Sequence, residues 1–124
     1  MTSGKSEKFT IEQGRCYLVD MNPPRKSKPG KVRPVVVIQT SDTLKSGSPG
    51  AVIVPLTTQL QEENILRTRL KISPNLSIQK HSDVLIDQIH TVDRAFFIED
   101  LGFLEPSDFK KIQRGVSFLL GLKE

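Results

Sequence analysis

From residue 15 onward the chain alternates short apolar runs with polar segments rich in Gly, Pro, Ser and Asp, a pattern that predicts β-strands joined by turns. "RCYLVDMN" (15–22) is the first strand, stopped by Pro23 and Pro24. Val35 to Ile38 are four β-branched residues in succession, as expected of a strand covered on both faces. Pro34 is tolerated because it opens that strand, where no ladder N–H is needed. "AVIVPLTTQ" (51–59) is a third strand, in which Pro55 predicts a bulge or an unpaired edge. "RTRLKIS" (67–73) is a more polar fourth, and "SDVLIDQIHTVD" (82–93) a fifth that is apolar in its first half. "FFIEDLGFL" supplies a short sixth, and "SDTLKSGSPG" between the second and third reads as a turn.

The period changes at the end of the chain. Phe109, Ile112, Val116, Leu119 and Leu120 recur at helical spacing, after Pro106 and Asp108 in a first turn that suits both. Gly115 weakens the middle of that helix by about 1 kcal/mol unless something packs closely against it. The polar first dozen residues are expected to fray, which gives a flexible extension over 1–12 and one domain over 13–124. The expected fold is mainly antiparallel β with a C-terminal helix, an SH3-like small barrel.

Charge adds a second feature. Lys and Arg number 18 against 14 Asp and Glu, a modest excess, but Arg25, Lys26, Lys28, Lys31 and Arg33 fall within nine residues with no acid among them. Such a cluster is either a solvated loop or the footprint of a polyanion such as nucleic acid. The lone cysteine, Cys16, forms no internal disulfide, and no apolar run is long enough to cross a bilayer. A cytoplasmic protein with no membrane partner is expected.

Alternation along the strands says which side chains share a face. Arg33 lies with Val35 and Val37; Thr57 with Ile53 and Pro55; Thr58 with Val52, Val54 and Leu56. Gln88 and His90 are expected to continue the face of Val84 and Ile86. Three strands thus turn from apolar to polar, at Arg33, at Thr57-Thr58 and at Gln88–Thr91, and would form one polar patch if those ends meet. His81 and His90 are nine residues apart, an odd spacing that sets them on opposite faces of a continuous strand and speaks against a catalytic pair. Asp83 and Asp87 share a face that His90 does not, and no metal-ligand spacing is present, so neither a metal nor a cofactor is expected. Cys16 reads as a buried, inert thiol, and the phenylalanines read as core rather than as a base-stacking platform.

In order and spacing, "GRCYLVDMNPP", "VRPVVVIQ", "VIVPLTTQ" and "SDVLIDQIHTVD" resemble the motifs of the MazF/PemK toxins, over Gly14 to about Leu120. That resemblance implies an SH3-like barrel of CcdB/PemK type. It also implies a homodimer that cuts single-stranded mRNA at short sequences without metal, leaving 2′,3′-cyclic phosphate and 5′-hydroxyl ends. A cognate MazE-like antitoxin would neutralise it. Carried over residue by residue, the catalytic groups would be Arg33 and Thr57, with Thr58 contributing in some members. The RNA-binding groups would be Gln88, His90 and Thr91, with Arg25, Lys26, Ser27, Lys28 and Lys31 on the loop that covers RNA. Lys28 and Pro29 depart from the family's usual Glu and Gln, and His90 replaces its usual Arg. The alternatives are a gyrase-directed toxin of the same fold, like CcdB, and a catalytically degenerate member that binds RNA or antitoxin without cutting.

Overall fold

The computed structural model describes residues 9–21 and 31–122. Its strands are β1 (Arg15–Asp20), β2 (Val32–Val37), β3 (Gly50–Thr57), β4 (Arg67–Leu70), β5 (Ser82–Leu85), β6 (His90–Asp93) and β7 (Phe97–Phe103). A short helix α1 (Ser41–Lys45) joins β2 to β3, and α2 (Pro106–Leu120) ends the described chain. All strand pairs are antiparallel, in the order β4-β5-β3-β2-β1-β7, with β6 also on β3. The sheet is not closed. It curls until the turn after β4 reaches β7, where the Phe103 N–H donates to the Asn75 carbonyl at 3.0 Å. Gly102 makes that approach possible: its φ is +109°, and a Cβ there would run into the Asn75 carbonyl oxygen.

The β-branched run explains the core on both sides of β2. Val35 and Val37 bury into a cluster with Tyr17, Val19 and Ile53, while Val36 points the other way, among Val54, Leu56, Val84, Ile86 and Ile112. Helix α2 lies over the second cluster. Gly115 is buried there, and a Cβ added to it would run into the Ile65 carbonyl oxygen and come within 2.8 Å of the Ile86 Cδ1. The close packing that would justify a mid-helix glycine is therefore present. Ile112 is buried and Phe109 and Val116 pack against the cluster, but Leu119 and Leu120 at the end of the expected stripe are exposed.

Three expectations need correction. Pro55 is neither at an edge nor unpaired: it is buried in the central strand opposite Val35. On the other side of β3, residues 50–53 pair with β6 and residues 56–57 with β5, so the missing N–H of Pro55 falls in the gap between two ladders. The fifth strand is broken into β5 and β6 by a turn at 86–87. The segment read as a turn carries α1, capped by the Thr40 side chain accepting from the Thr43 N–H, with Leu44 buried in the first cluster.

Of the expected extension, residues 9–12 pack on the domain. Ile11 is 3% exposed, Phe9 stacks on Tyr17, and the Tyr17 hydroxyl donates to the Thr10 carbonyl at 2.8 Å. Among the described residues no helix is long and apolar enough to cross a membrane.

Candidate active site

Strand register brings the candidate residues together. Arg33 is half-buried on β2, opposite Val19 of β1. On its other side the β2–β3 ladder runs from Val37–Ile53 to Val35–Pro55. Carried two residues further, that register sets Arg33 level with Thr57. Thr57 pairs with Asp83 of β5, and Asp83 with Arg69 of β4. The sets Val19–Arg33 and Thr57–Asp83–Arg69 thus lie on a single face, and the β2–β3 ladder, which ends at Val35–Pro55, aligns the two sets into one row when its register is continued. Neighbouring strands lie about 5 Å apart, close enough for Arg33 and Thr57 to act on one small anionic group.

The Thr57 hydroxyl is oriented from within its own turn. Its Oγ1 accepts the Gln59 N–H at 3.2 Å, which leaves the hydroxyl proton to be donated elsewhere. Thr58 follows immediately and is exposed.

Beside Thr57 stands a charge cluster the alternation pattern did not reveal. Asp83 has no exposed surface. Its Oδ1 accepts from Arg69 Nε at 2.5 Å, and its Oδ2 from Arg67 Nε at 2.7 Å and the Gln61 N–H at 2.9 Å. The second arms of both guanidinia reach the following loop: Arg67 Nη2 donates to the Gln59 carbonyl at 2.5 Å, and Arg69 Nη2 donates to the Gln61 carbonyl. Burial alone would raise the Asp83 pKa, but the Arg69, Gln61 and Arg67 hydrogen bonds outweigh it and lower it to about 2. The carboxylate weighed above as a metal ligand is occupied by two arginines. Arg67 and Arg69, at alternate positions of β4, are the one sequence signal that could have pointed to it.

The remaining candidates are placed differently. β3 pairs with β5 as Leu56–Val84 but with β6 as Ile53–His90, a three-residue offset between the two ladders. An odd offset reverses the faces, so His90 shares the side of Thr57 and Asp83, not that of Val84. It lies four residues along β3, about 13 Å away. Gln88 is exposed in the turn, and its carbonyl lies 3.1 Å from His90 Nδ1. Thr91, opposite Val52, faces the other way. Lys31 is exposed at the base of the β1–β2 hairpin, where its carbonyl accepts the Met21 N–H at 2.8 Å. Arg25, Lys26, Ser27, Lys28 and Pro29 lie outside the described residues. His81 stands just before β5, two residues from Asp83, and its Nδ1 accepts the Ile72 N–H at 3.0 Å. Cys16 is fully buried, and desolvation pushes its thiol up to about 12, which removes it as a nucleophile.

A row that offers a fork of guanidinium donors and a free hydroxyl proton is suited to an oxyanion with trigonal or tetrahedral phosphorus at its centre. Comparison with known proteins identifies the family. The family model of PemK-like, MazF-like toxins of type II toxin–antitoxin systems matches residues 12–120. The endoribonuclease MazF of Staphylococcus saprophyticus is 31% identical over 113 residues, spanning 90% of this chain and 92% of that one. A MazE–MazF crystal structure from Deinococcus radiodurans matches with a TM-score of 0.74 at 16% identity, over 94% of this chain and 100% of that one. An endoribonuclease of a Mycobacterial species, solved in complex with its cognate antitoxin, matches with a TM-score of 0.70 at 19% identity, over 93% and 99%.

Proposed function

The chain belongs to the PemK-like, MazF-like family of type II toxins, and on that premise we propose that it cuts single-stranded RNA at the Arg33–Thr57 row by attack of the RNA's own 2′-hydroxyl. It is an endoribonuclease toxin neutralised by a cognate antitoxin. In the proposed step the 2′-oxygen bonds to phosphorus, the bond to the 5′-oxygen breaks, and the attacking hydroxyl loses a proton while the leaving oxygen gains one. The products are a 2′,3′-cyclic phosphate and a 5′-hydroxyl. No water is consumed, and the residues of the row are enough to stabilise the phosphorane without a metal ion.

Arg33 gives two parallel donors to the non-bridging oxygens, where charge grows in the transition state, and Thr57 adds a third. Arg33 serves here as an electrostatic clamp, a planar fork of donors, and not as a base. Pro34 and the stiff β2 run behind it hold the clamp still, which is where positioning gains its rate. Lys31, His90 and Gln88 are assigned as RNA contacts, and so, from the family resemblance alone, are Arg25, Lys26, Ser27 and Lys28. On the same reading Thr58 contributes to catalysis beside Thr57, whereas Thr91, expected to bind RNA, faces the other side of the sheet from the row. The active form is a cytoplasmic homodimer, and an acidic segment of the antitoxin competes with RNA for the basic face.

The observation that carries this reading is the level placement of Arg33 and Thr57 implied by the β2–β3 register. It is tested by incubating the protein with mixed-sequence RNA in excess EDTA and identifying the product ends. Cyclic-phosphate ends are expected; 3′-hydroxyl ends, or cleavage that stops with EDTA, would overturn it.

A further inference from the structure

The loop after Thr57 holds two amides with nothing to do inside the protein. Gln59 and Gln61 are both exposed, and neither side-chain amide has a hydrogen-bond partner among the described residues. That alone is ordinary for surface glutamines. Their backbones are not ordinary. The Gln59 carbonyl, the Gln61 carbonyl and the Gln61 N–H are all gripped by Arg67, Arg69 and the buried Asp83.

A buried ion cluster is a poor route to stability, because desolvating the charges consumes most of what their attraction returns; its best-attested return is a unique geometry. Here that geometry is spent on a short exposed segment beside the reacting row. Gln59 and Gln61 stand two and four residues past Thr57, at most about 7 and 14 Å of chain from it. Charge narrows their use. Glu62 and Glu63 follow directly and would repel a phosphate backbone, so what this segment can meet is the base side of the strand. Unpaired bases present donor–acceptor edges that a glutamine amide matches with both of its ends.

We propose that Gln59 and Gln61 read the bases next to the scissile phosphate, and that the Arg67–Asp83–Arg69 cluster is the brace that fixes them for it. The brace makes Asp83 a positioning residue, acting through loop backbone, and the two glutamines specificity residues. Because hydrogen bonds already hold their main chain, each amide gives up chiefly its own side-chain freedom on meeting a base. The same brace reaches Thr57, since the Gln59 whose carbonyl Arg67 holds is also the N–H donor to Thr57 Oγ1. This inference rests on the RNA-cleaving function proposed above.

The test is to sequence the cut sites of wild type, Gln59→Ala/Gln61→Ala and Asp83→Asn in one random-sequence RNA pool, with thermal melts of each. Wild type is expected to cut with a defined base preference. The glutamine variant should cut its preferred site about 10- to 100-fold more slowly, the discrimination of one or two amide–base pairs, and lose preference at one or two positions. Asp83→Asn should blur the same positions with both glutamines intact. If Asp83→Asn fails to fold, Arg67→Met/Asp83→Leu/Arg69→Met removes all three charges together and is expected to give the same blurring. A preference unchanged in the glutamine variant, or a loss equal at every site, overturns the inference while leaving RNA cleavage standing. Absence of cutting by wild type would overturn the cleavage reading and this inference with it.

Discussion

The Gln59 N–H donates to Thr57 Oγ1 at 3.2 Å, so a hydroxyl at the end of the central strand is held by a bond to one of its lone pairs and keeps its proton to donate. Arg33, which the continued β2–β3 register brings level with it, supplies a guanidinium fork. The division of labour between them follows from their chemistry: charge and a fork from one, a single oriented donor from the other. Arg33→Ala is expected to lower single-turnover cleavage by about 10³-fold, and Arg33→Lys, which keeps charge but loses the fork, by about 10- to 100-fold. Thr57→Val should cost about 10- to 100-fold with little change in RNA affinity. Equal losses for Arg33→Lys and Arg33→Ala would argue for a role of the fork alone.

Asp83 ties the fold to pH. Its pKa is about 2 in the folded chain against an ordinary 3.8, so its ion pairs contribute fully above about pH 4. That contribution is lost as pH falls through 4 towards 2, because the unfolded chain then takes up the proton first. Its size is on the order of 2 kcal/mol at neutral pH. Urea titrations between pH 2 and 6 should show this slope in wild type and its absence in Asp83→Asn.

Gly115 gives a test of the packing under α2. Alanine is the better helix former by about 1 kcal/mol, but its Cβ would press on the Ile65 carbonyl oxygen and on Ile86. Overpacking of this kind costs about 1–3 kcal/mol, and the clash is with backbone on one side. Gly115→Ala is expected to destabilise by about 1–2 kcal/mol in urea unfolding. A gain in stability would show that the helix can ride outward at no cost.

The strands were legible in the sequence because short apolar runs, alternating or continuous, stood between turn residues, and the helix because its stripe was long. What escaped depended on pairs of strands. One strand's pattern cannot show that the ladders of β5 and β6 on β3 are offset by three residues, so His90 was read onto the wrong face. Asp83 looked like a spare carboxylate because its partners, Arg67 and Arg69, precede it by 16 and 14 residues. Gln59 and Gln61 carry no local signal at all; their interest comes from backbone groups that only the fold brings to the arginines. The family resemblance, by contrast, rested on order and spacing, which survive without any of this.

Cys16 should behave as its surroundings dictate. Fully buried and with its thiol pushed up to about 12 by desolvation, it is expected to resist iodoacetamide in the folded protein and react fully in denaturant. Fast labelling under native conditions would mean that β1 opens readily.

The most direct test concerns the nucleophile. Once a cut site is known, an RNA carrying a single 2′-deoxy sugar on the 5′ side of that bond should bind as the all-ribose RNA does. Attack by the 2′-hydroxyl predicts no cleavage there, with all other sites cut normally. Cleavage of the 2′-deoxy bond would require an external nucleophile and would contradict the assignment of Arg33 and Thr57 to an internal transfer.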